Sequence, residues 1–238
     1  MKIALIGYGK MGKAIEKIAL QRGHEIVLKI DLDNAADFTA NNMKKADAAI
    51  EFTGPNSAFS NVMKCIEFGV PLVCGSTGWL DKMDEAITYC KKHNGCFLYT
   101  SNFSVGVNIF FEINKRLAEL MKPHAEYAIR LEETHHTQKK DAPSGTAVSL
   151  ANQILERIDR KKKWVNSEPN NPEELSILSR RIDPAPGTHS VSYISEIDTI
   201  DIIHIAHSRE GFATGAVLAA EFVKGKTGIF GIKEVLGL

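Results

Sequence analysis

Residues 2–12 read K-I-A-L-I-G-Y-G-K-M-G, and this stretch decides the fold of the first half of the chain. A short apolar run leads into three glycines, and apolar residues then recur at helical spacing as far as Gly23. A second apolar run at residues 25–30 ends at Asp31. The order strand, G-x-G-x-x-G, helix, strand and acid is typical of a βαβ unit that binds a dinucleotide.

Each position of this fingerprint has its own physical task. We expect Gly7 to form the tight turn, Gly9 to let the backbone approach a pyrophosphate, and Gly12 to let the helix pack on the strand. Asp31 is expected to accept hydrogen bonds from the adenosine ribose hydroxyls. A phosphate-loop motif nearly matches the same stretch, but Ala14 stands where that motif needs a Ser or Thr for Mg²⁺. The dinucleotide interpretation is therefore favoured.

Strands that alternate with helices continue to residue 100 and predict a parallel sheet covered on both faces. The strand-like runs at 47–52, 71–74 and 96–100 each end in a polar or glycine-rich turn. Ligands of such sheets bind beyond the carboxyl ends of the strands, so we expect these turns to contact a cofactor. The turn residues are Thr53, Gly75, Ser76, Thr77, Ser101, Asn102 and Phe103.

The pattern changes after residue 104. Strand-like runs now follow one another without regular alternation, which is typical of an α+β domain with a mixed or antiparallel sheet. A helical pattern at 211–224 is expected to return to the first domain. We therefore predict a dinucleotide-binding domain at residues 1–104, completed by 209–238, and a substrate-binding and oligomerisation domain at 105–208.

The last three strand-like runs of the second domain are separated by short turns, which favours antiparallel hairpins between neighbouring runs. These runs are residues 175–182, 189–197 and 200–206, and the preceding segment, 161–174, is predicted to be a polar loop. The runs contain more isoleucines than one covering pair of helices would bury, which favours an oligomer formed through this sheet. The isoleucines are Ile194, Ile200, Ile202 and Ile205.

Residues 133–147, E-T-H-H-T-Q-K-K-D-A-P-S-G-T-A, bring a proton donor, fixed positive charge and a helix start into one short run. Those are the parts needed to hold a dicarboxylate and to protonate a group beside it. His135 and His136 end a strand, so their side chains should diverge. His135 is the candidate general acid with Lys139 close by, whereas Lys140 is expected to face solvent.

The turn Pro143-Ser144-Gly145-Thr146 opens a helix whose amides and hydroxyls can hold a carboxylate, although Ser144 could equally serve only as its cap. No metal site is expected in this stretch, because it contains no H-E-x-x-H motif and no nearby cysteine.

The spacing E-x-H-H-x-x-K-x-D-A-P-S-G-T-A resembles the signature of the 4-hydroxy-tetrahydrodipicolinate reductase family, and the likeness spans nearly the whole chain. The resemblance implies a Rossmann-type α/β domain beside a second α+β domain. It implies hydride transfer from NADH or NADPH to an unsaturated cyclic dicarboxylate, an oxidoreduction of CH–CH groups in the diaminopimelate route to lysine. It also implies a homotetramer built through the second domain's sheet.

The same resemblance assigns roles to individual residues. His135 would be the proton donor and Lys139 its catalytic partner. The residues implied to bind the substrate carboxylates are His136, Ser144, Gly145 and Thr146. Cofactor contacts are implied for the nucleotide loop, residues 7–12, with its glycines Gly7, Gly9 and Gly12, and for the turns named above. They are further implied for Asp31, Tyr8, Lys10, Met11, Phe52, Arg209 and Phe212.

Cofactor choice is the point at which this chain departs from many family members. It is shorter between its second and third strands, and Gly54 stands where many members carry a basic residue. After Asp31 come Leu32, Asp33 and Asn34, with no arginine to meet a 2′-phosphate. NADH is therefore expected to be used at least as well as NADPH.

Composition narrows the function classes further. Lys plus Arg (29) equals Asp plus Glu (29), whereas nucleic-acid binders usually carry a basic excess. No apolar run approaches the ~20 residues of a membrane span. The four cysteines form no C-x-x-C pair, which favours reduced thiols and a cytoplasmic protein. Two alternatives stay open: a dehydrogenase of another imino or oxo acid, and a non-catalytic NAD(H)-sensing module.

Overall fold

The computed structural model describes residues 1–208 and 210–238, which fold into two compact units. The first unit consists of Met1–Val105 together with Glu210–Leu238, and the second consists of the residues between them. Within the described residues, no helix is long and apolar enough to cross a membrane.

The helices and strands are, in chain order, β1 (Lys2–Ile6), α1 (Lys10–Gln21), β2 (Glu25–Ile30), α2 (Ala40–Met43), β3 (Ala48–Glu51), α3 (Pro55–Glu67), β4 (Leu72–Cys74), α4 (Met83–Lys92), β5 (Cys96–Tyr99), α5 (Val105–Met121), β6 (Ala128–His135), α6 (Gly145–Leu155), β7 (Lys163–Val165), β8 (Glu174–Arg181), β9 (Gly187–Ile194), β10 (Thr199–Ala206), α7 (Glu210–Val223), β11 (Gly228–Phe230) and α8 (Ile232–Leu236). Short 3₁₀ helices lie at Leu32–Asp37 and Leu80–Lys82.

The first unit is built on a six-stranded parallel sheet in the order β11-β5-β4-β3-β1-β2. Strand β1 shows why both faces are covered. Ile3 and Leu5 belong to the core cluster of α1 and α7, whereas Ala4 and Ile6 belong to the cluster of α3 and α4. Such apolar runs are typical of parallel strands buried on both faces. The predicted Rossmann-type α/β architecture is confirmed.

The second unit is built on a five-stranded mixed sheet in the order β10-β9-β6-β8-β7. Strand β6 lies between β9, which is antiparallel to it, and β8, which is parallel to it. Helices α5 and α6 cover one face of this sheet, with Phe110, Leu150 and Ile154 in the shared core. The predicted second α+β domain is confirmed.

Two details of the predicted second sheet are wrong. β9 and β10 do form an antiparallel hairpin, but β8 and β9 do not, because β6 lies between them. The predicted polar loop also contains β7, a three-residue edge strand. Alternation of apolar residues indicates which face of a strand is buried, but it does not indicate which strand lies beside it.

The face of the second sheet opposite α5 and α6 carries exposed isoleucines. Ile203 and Ile205 are 58% and 55% exposed, and Ile194 is 38% exposed. Ile202 packs instead against the core cluster of α5 and α6, so its predicted place on the exposed apolar face is wrong. Because strand side chains alternate between faces, Ile203 takes the position on the exposed face beside Ile205.

Candidate active site

At two positions of the nucleotide loop, residues 7–12, close packing within the first unit leaves room only for glycine. Gly7 has a φ of +91°, and a Cβ placed there would lie 2.1 Å from the carbonyl oxygen of Phe52. A Cβ on Gly12 would lie 2.3 Å from the carbonyl oxygen of Gly7. Gly9 differs, because a Cβ there would meet nothing within 4 Å. Gly9 therefore leaves open space at the start of α1, where amides and the helix dipole favour a phosphate.

Two cavities that share residues adjoin this loop, and both lie within the first unit. One has a volume of about 440 Å³ and includes Asp31, and the other has a volume of about 360 Å³. Both are lined by Gly9, Phe52, Thr53 and Gly54, so the two cavities adjoin each other beside the glycines of residues 7–12. Of the predicted contacts, the first cavity is also lined by Gly7, Tyr8 and Asp31, and the second by Lys10, Met11, Gly75, Ser76 and Thr77.

The carboxylate of Asp31 is fixed in place at the first cavity. It accepts a hydrogen bond from the Leu32 amide at 2.9 Å, and its own amide donates to the Asn34 side chain at 2.8 Å. Asp31 thereby caps the 3₁₀ helix that follows β2. The acid predicted from the fingerprint is thus a local structural element as well as part of the cavity lining.

Other predicted cofactor residues do not line these two cavities. The Phe103 side chain is only 2% exposed and packs against Phe52, with ring centroids 5.5 Å apart. A Cβ on Gly215 would lie 1.8 Å from the carbonyl oxygen of Phe103, so α7 packs closely against the backbone of this turn. Gly12 is buried under the glycine loop. The remaining predicted contacts outside the two linings are Ser101, Asn102 and Phe212, while Arg209 lies outside the described residues.

In the second unit, the inward face of β6 changes from apolar to polar toward its carboxyl end. The cross-strand register pairs Leu131 with Val191, and then Glu133 with His189. On the other side, β8 places Arg181 opposite His135. Strand pairing therefore assembles charged and titratable groups at one end of the core.

Glu133 is the centre of this cluster and is 1% exposed. Its Oε1 accepts from Arg181 Nη2 at 3.2 Å, and its Oε2 accepts from the Ser144 amide at 3.0 Å. The same Oε2 lies 3.4 Å from His135 Nδ1 and 3.7 Å from His189 Nε2. Burial alone favours the neutral acid, but the bonds from Ser144 and the charge of His135 hold the pKa of Glu133 below its usual range.

The two histidines of the cluster differ in the partners that they meet. Burial lowers the pKa of His135, Glu133 opposes this, and the charges of Lys139 and Arg181 lower it further. Burial lowers the pKa of His189 to about 4, so this imidazole is neutral at physiological pH. His189 Nε2 lies 3.0 Å from the Ser144 hydroxyl.

The two lysines of residues 133–147, Lys139 and Lys140, differ in their partners and exposure. Lys139 Nζ donates to both carboxylate oxygens of Asp141, at 2.9 and 2.8 Å, and its side chain is 21% exposed. This ammonium holds the pKa of Asp141 below its usual range. Lys140 is exposed, as predicted. Lys139 thus adds a positive charge close to His135. This charge is paired with the carboxylate of Asp141.

The start of α6 provides hydrogen-bond donors beside this cluster. The Ser144 hydroxyl accepts from the Ala147 amide at 3.2 Å and so caps the helix, while the Ser144 amide is taken by Glu133. Among the described residues, the amides of Gly145 and Thr146 show no partner. A Cβ on Gly145 would meet nothing within 4 Å, so no side chain crowds the helix start at this residue. The two amides are those able to hold a carboxylate.

His135 and His136 take different environments, as their adjacent positions on a strand predict. His135 is buried, whereas His136 is half-buried and its backbone amide donates to Ala185 O at 2.8 Å. Residues 133–147 therefore divide into a buried part, which includes His135, and a more open part, which includes His136.

By distance alone, Glu133, His135 and His189 could hold a metal ion, since their ligand atoms lie within 4.8 Å of one another. Arg181 and Lys139 place positive charge on the same cluster, which opposes binding of a divalent cation. Both oxygens of Glu133 already accept hydrogen bonds. The sequence-based expectation of no metal therefore stays a prediction.

Four residues of the site were not singled out from the sequence, namely Glu133, Asp141, Arg181 and His189. For Glu133 a signal existed, because continuing the alternation of Ile129 and Leu131 places residue 133 on the core face. His189 shows the same signal ahead of Val191 on β9. Arg181 and Asp141 carry no comparable signal, since their partners are set by the strand order and by the loop.

Comparisons with known proteins identify the same family over nearly the whole chain. The model for the N-terminus of dihydrodipicolinate reductase matches residues 1–103, and the model for its C-terminus matches residues 106–236. The 4-hydroxy-tetrahydrodipicolinate reductase of Christiangramia forsetii is 49% identical over 236 residues, which cover 99% of this chain and 98% of the relative. The chain belongs to the dihydrodipicolinate reductase family. The predicted family and its class, an NAD(P)H-dependent oxidoreductase, are confirmed.

More distant members of the dihydrodipicolinate reductase family are also similar to this chain, one in sequence and one in fold. The 4-hydroxy-tetrahydrodipicolinate reductase of Neisseria meningitidis is 33% identical over 230 residues, covering 94% of this chain and 84% of the relative. A dipicolinate-bound dihydrodipicolinate reductase from Paenisporosarcina sp. TG-14 superposes with a TM-score of 0.78 at 21% identity, covering 99% of each chain. At that identity the superposition supports the fold alone.

Proposed function

We propose that this chain reduces 4-hydroxy-tetrahydrodipicolinate, the substrate in the name of its curated relatives, to tetrahydrodipicolinate in the diaminopimelate route to lysine. One observation carries the proposal. A buried His135 next to Glu133 lies in the same cluster as Lys139 and the start of α6, where the amides of Gly145 and Thr146 show no partner within the described part of the chain. A proton donor beside a carboxylate-binding helix start suits reduction of a cyclic dicarboxylate.

The residues of the second unit then divide the work. His135 holds the proton that the ring accepts, and Lys139 stabilises negative charge beside it. The amides of Gly145 and Thr146, with the Ser144 hydroxyl, bind substrate carboxylates. His136, on the more open side of the strand end, adds a further polar contact to the substrate.

The first unit holds the cofactor in this proposal. Gly9 and the start of α1 take the pyrophosphate, and Asp31 binds the adenosine ribose. The turns at Thr53 and Ser76 line the cavity next to that loop. When bound, the nicotinamide dinucleotide supplies the hydride.

A direct assay tests the function. Purified protein is mixed with NADH and the freshly made condensation product of pyruvate and aspartate semialdehyde, and NADH loss is followed by absorbance. Rapid loss that depends on both precursors is expected, and dipicolinate, the compound bound in the structural relative, should inhibit it. A dehydrogenase of another oxo acid would consume NADH only with a different substrate. A sensing module would bind NADH and consume none.

The cofactor preference is a separate prediction. NADH should give a kcat/KM at least equal to that of NADPH, because Asp31 faces the first cavity and no arginine follows it. Lys64 is the cation that lines the same cavity, with its ammonium 5.1 Å from the Phe38 ring centroid. Any use of NADPH should therefore depend on it, so Lys64→Met should lower kcat/KM for NADPH more than for NADH. A kcat/KM far higher for NADPH in the unmodified enzyme would contradict the prediction.

The oligomeric state is also a proposal. We propose a cytoplasmic homotetramer assembled through the exposed face of the second sheet, where Ile203 and Ile205 lie side by side on edge strand β10. The four cysteines are free thiols, which suits a reducing compartment.

The variant Ile203→Lys tests this face. A buried charge at an apolar interface is strongly unfavourable, so the variant should show a lower mass than the unmodified protein in light scattering at micromolar concentration. Leu120→Lys is the matched control, because Leu120 is similarly exposed (53%) but lies on α5. A monomeric unmodified protein would remove the proposal, as would equal masses for all three proteins.

A further inference from the structure

One ring nitrogen of His135, Nδ1, faces the buried carboxylate of Glu133. Nδ1 of His135 is buried and has no aligned hydrogen bond, although Glu133 Oε2 lies 3.4 Å away. Buried nitrogens are normally paired, and a carboxylate oxygen such as Oε2, which accepts a hydrogen bond from the Ser144 amide, has lone pairs for a further donor. Protonation of Nδ1 would create a charged donor facing that oxygen.

The other ring nitrogen of His135, Nε2, lies next to Gly187, which has no side chain. A Cβ on Gly187, the neighbouring position on β9, would lie 3.1 Å from Nε2 and 3.4 Å from Cδ2 of His135. Any larger residue would therefore press on this edge of the ring. Nδ1 and Nε2 thus have distinct surroundings: Nδ1 faces a carboxylate, and Nε2 lies beside a residue without a side chain.

The charges around His135 come from three strands and one loop. Glu133 is on β6, Arg181 is on β8, and Lys139 and Asp141 follow β6. His189 on β9 lies with its ring centroid 5.1 Å from that of His135. Because His189 is neutral and Lys139 is paired with Asp141, Glu133 is the anion in contact with the imidazole.

Building on the function proposed above, we propose that Glu133 is the positioning residue of the general acid. Its carboxylate holds Nδ1 of His135, so that Nε2, which lies beside Gly187, carries the proton given to the substrate. Arg181 and the Ser144 amide hold the carboxylate itself, one at each oxygen. The proton goes from Nε2 to the ring, and the imidazole regains a proton from solvent after each turnover.

The sign of the expected pH effect follows from the charge of Glu133. The carboxylate stabilises the protonated imidazole and raises the pKa of His135 against burial, Lys139 and Arg181. In Glu133→Gln this support is lost, so the pKa of His135 falls and its acid form is depleted at lower pH. The alkaline decline of kcat should therefore move to lower pH, with kcat at pH 8 reduced by roughly 10- to 100-fold and KM changed less.

Glu174→Gln is the matched control. Glu174 is also a buried carboxylate of the second unit, 4% exposed, and it accepts from Asn170 N at 2.8 Å and pairs with Lys163 at 3.1 Å. Its pH profile should equal that of the unmodified enzyme. A second variant, Gly187→Ala, keeps every charge and should still lower kcat, because its Cβ displaces the edge of the ring that carries Nε2.

An activity-independent measurement separates this inference from the proposed function. Nitrogen-15 NMR of the full chain reports the pKa of His135 and the protonation of each ring nitrogen. We expect a lower His135 pKa in Glu133→Gln than in the unmodified protein and in Glu174→Gln. An unchanged or higher pKa, or an unchanged pH profile in an active Glu133→Gln enzyme, would overturn the inference. Failure of the unmodified protein to consume NADH with the condensation product would overturn only the proposed function.

Discussion

Replacing His135 by Gln is expected to lower kcat by about 10²- to 10⁴-fold, the loss typical of removing a general acid. Glutamine keeps a polar group of similar size next to Glu133 but carries no proton to give at neutral pH. KM should change less, because the amides proposed to bind the substrate carboxylates belong to Gly145 and Thr146 on α6. Steady-state rates of NADH oxidation with the condensation product measure both constants.

Lys140→Gln is the control for this experiment. Lys140 lies in the same stretch but is exposed, so its loss should leave both constants nearly unchanged. His136→Gln should instead raise KM more than it lowers kcat, as expected for a residue that binds substrate. Near-normal turnover in His135→Gln would remove His135 from the role of proton donor.

The glycine loop gives the second large effect, since Gly7→Ala and Gly9→Ala should fail for different reasons. At Gly7, the φ of +91° and a Cβ only 2.1 Å from Phe52 O should destabilise the protein by about 3 kcal/mol or more. At Gly9, a Cβ meets no protein atom within 4 Å, and the φ of −77° suits alanine, so stability should be unchanged. The added methyl occupies the space proposed for the pyrophosphate, so the Kd for NADH should rise about tenfold or more, some 1.4 kcal/mol.

Thermal unfolding without cofactor and NADH titration followed by fluorescence separate the two glycines. Gly54→Ala is a useful reference, because Gly54 lines both cavities and also leaves open space around a Cβ. A Gly9→Ala protein with unchanged NADH affinity would contradict the proposed place of the pyrophosphate. A Gly7→Ala protein of unchanged stability would contradict the packing of the loop against Phe52.

The first unit was largely predictable from its sequence because its signals are local. The strand, three glycines, helix and acid of the dinucleotide fingerprint lie within about thirty residues, and the backbone itself leaves no room for a side chain at Gly7 and Gly12. Phe103 shows where such reasoning ends. The cofactor contact of the turn that contains Phe103 stays a prediction, but the sequence did not indicate that the Phe103 side chain is buried against Phe52. Its direction depends on the close approach of Gly215 on α7, which comes from the far end of the chain.

The second unit was predictable in its parts but not in their order. Alternation identified the strand that ends at His135, and helical spacing identified α6 behind Ser144. It could not show that β6 separates β8 from β9, because each of these strands offers the same kind of apolar face to α5 and α6. The hairpin expected between β8 and β9 was wrong for this reason.

By itself, the sequence determined the family, the dinucleotide fingerprint and the identity of the candidate proton donor, because those features rest on contiguous residues with fixed spacing. Only the tertiary structure decided what surrounds His135. Arg181 and Glu133 are 48 residues apart in sequence, and His189 reaches Glu133 only through the register of β9 on β6. Register is set by burial of whole strand faces, a non-local property, so the buried carboxylate and its partners emerge only when the sheet is assembled.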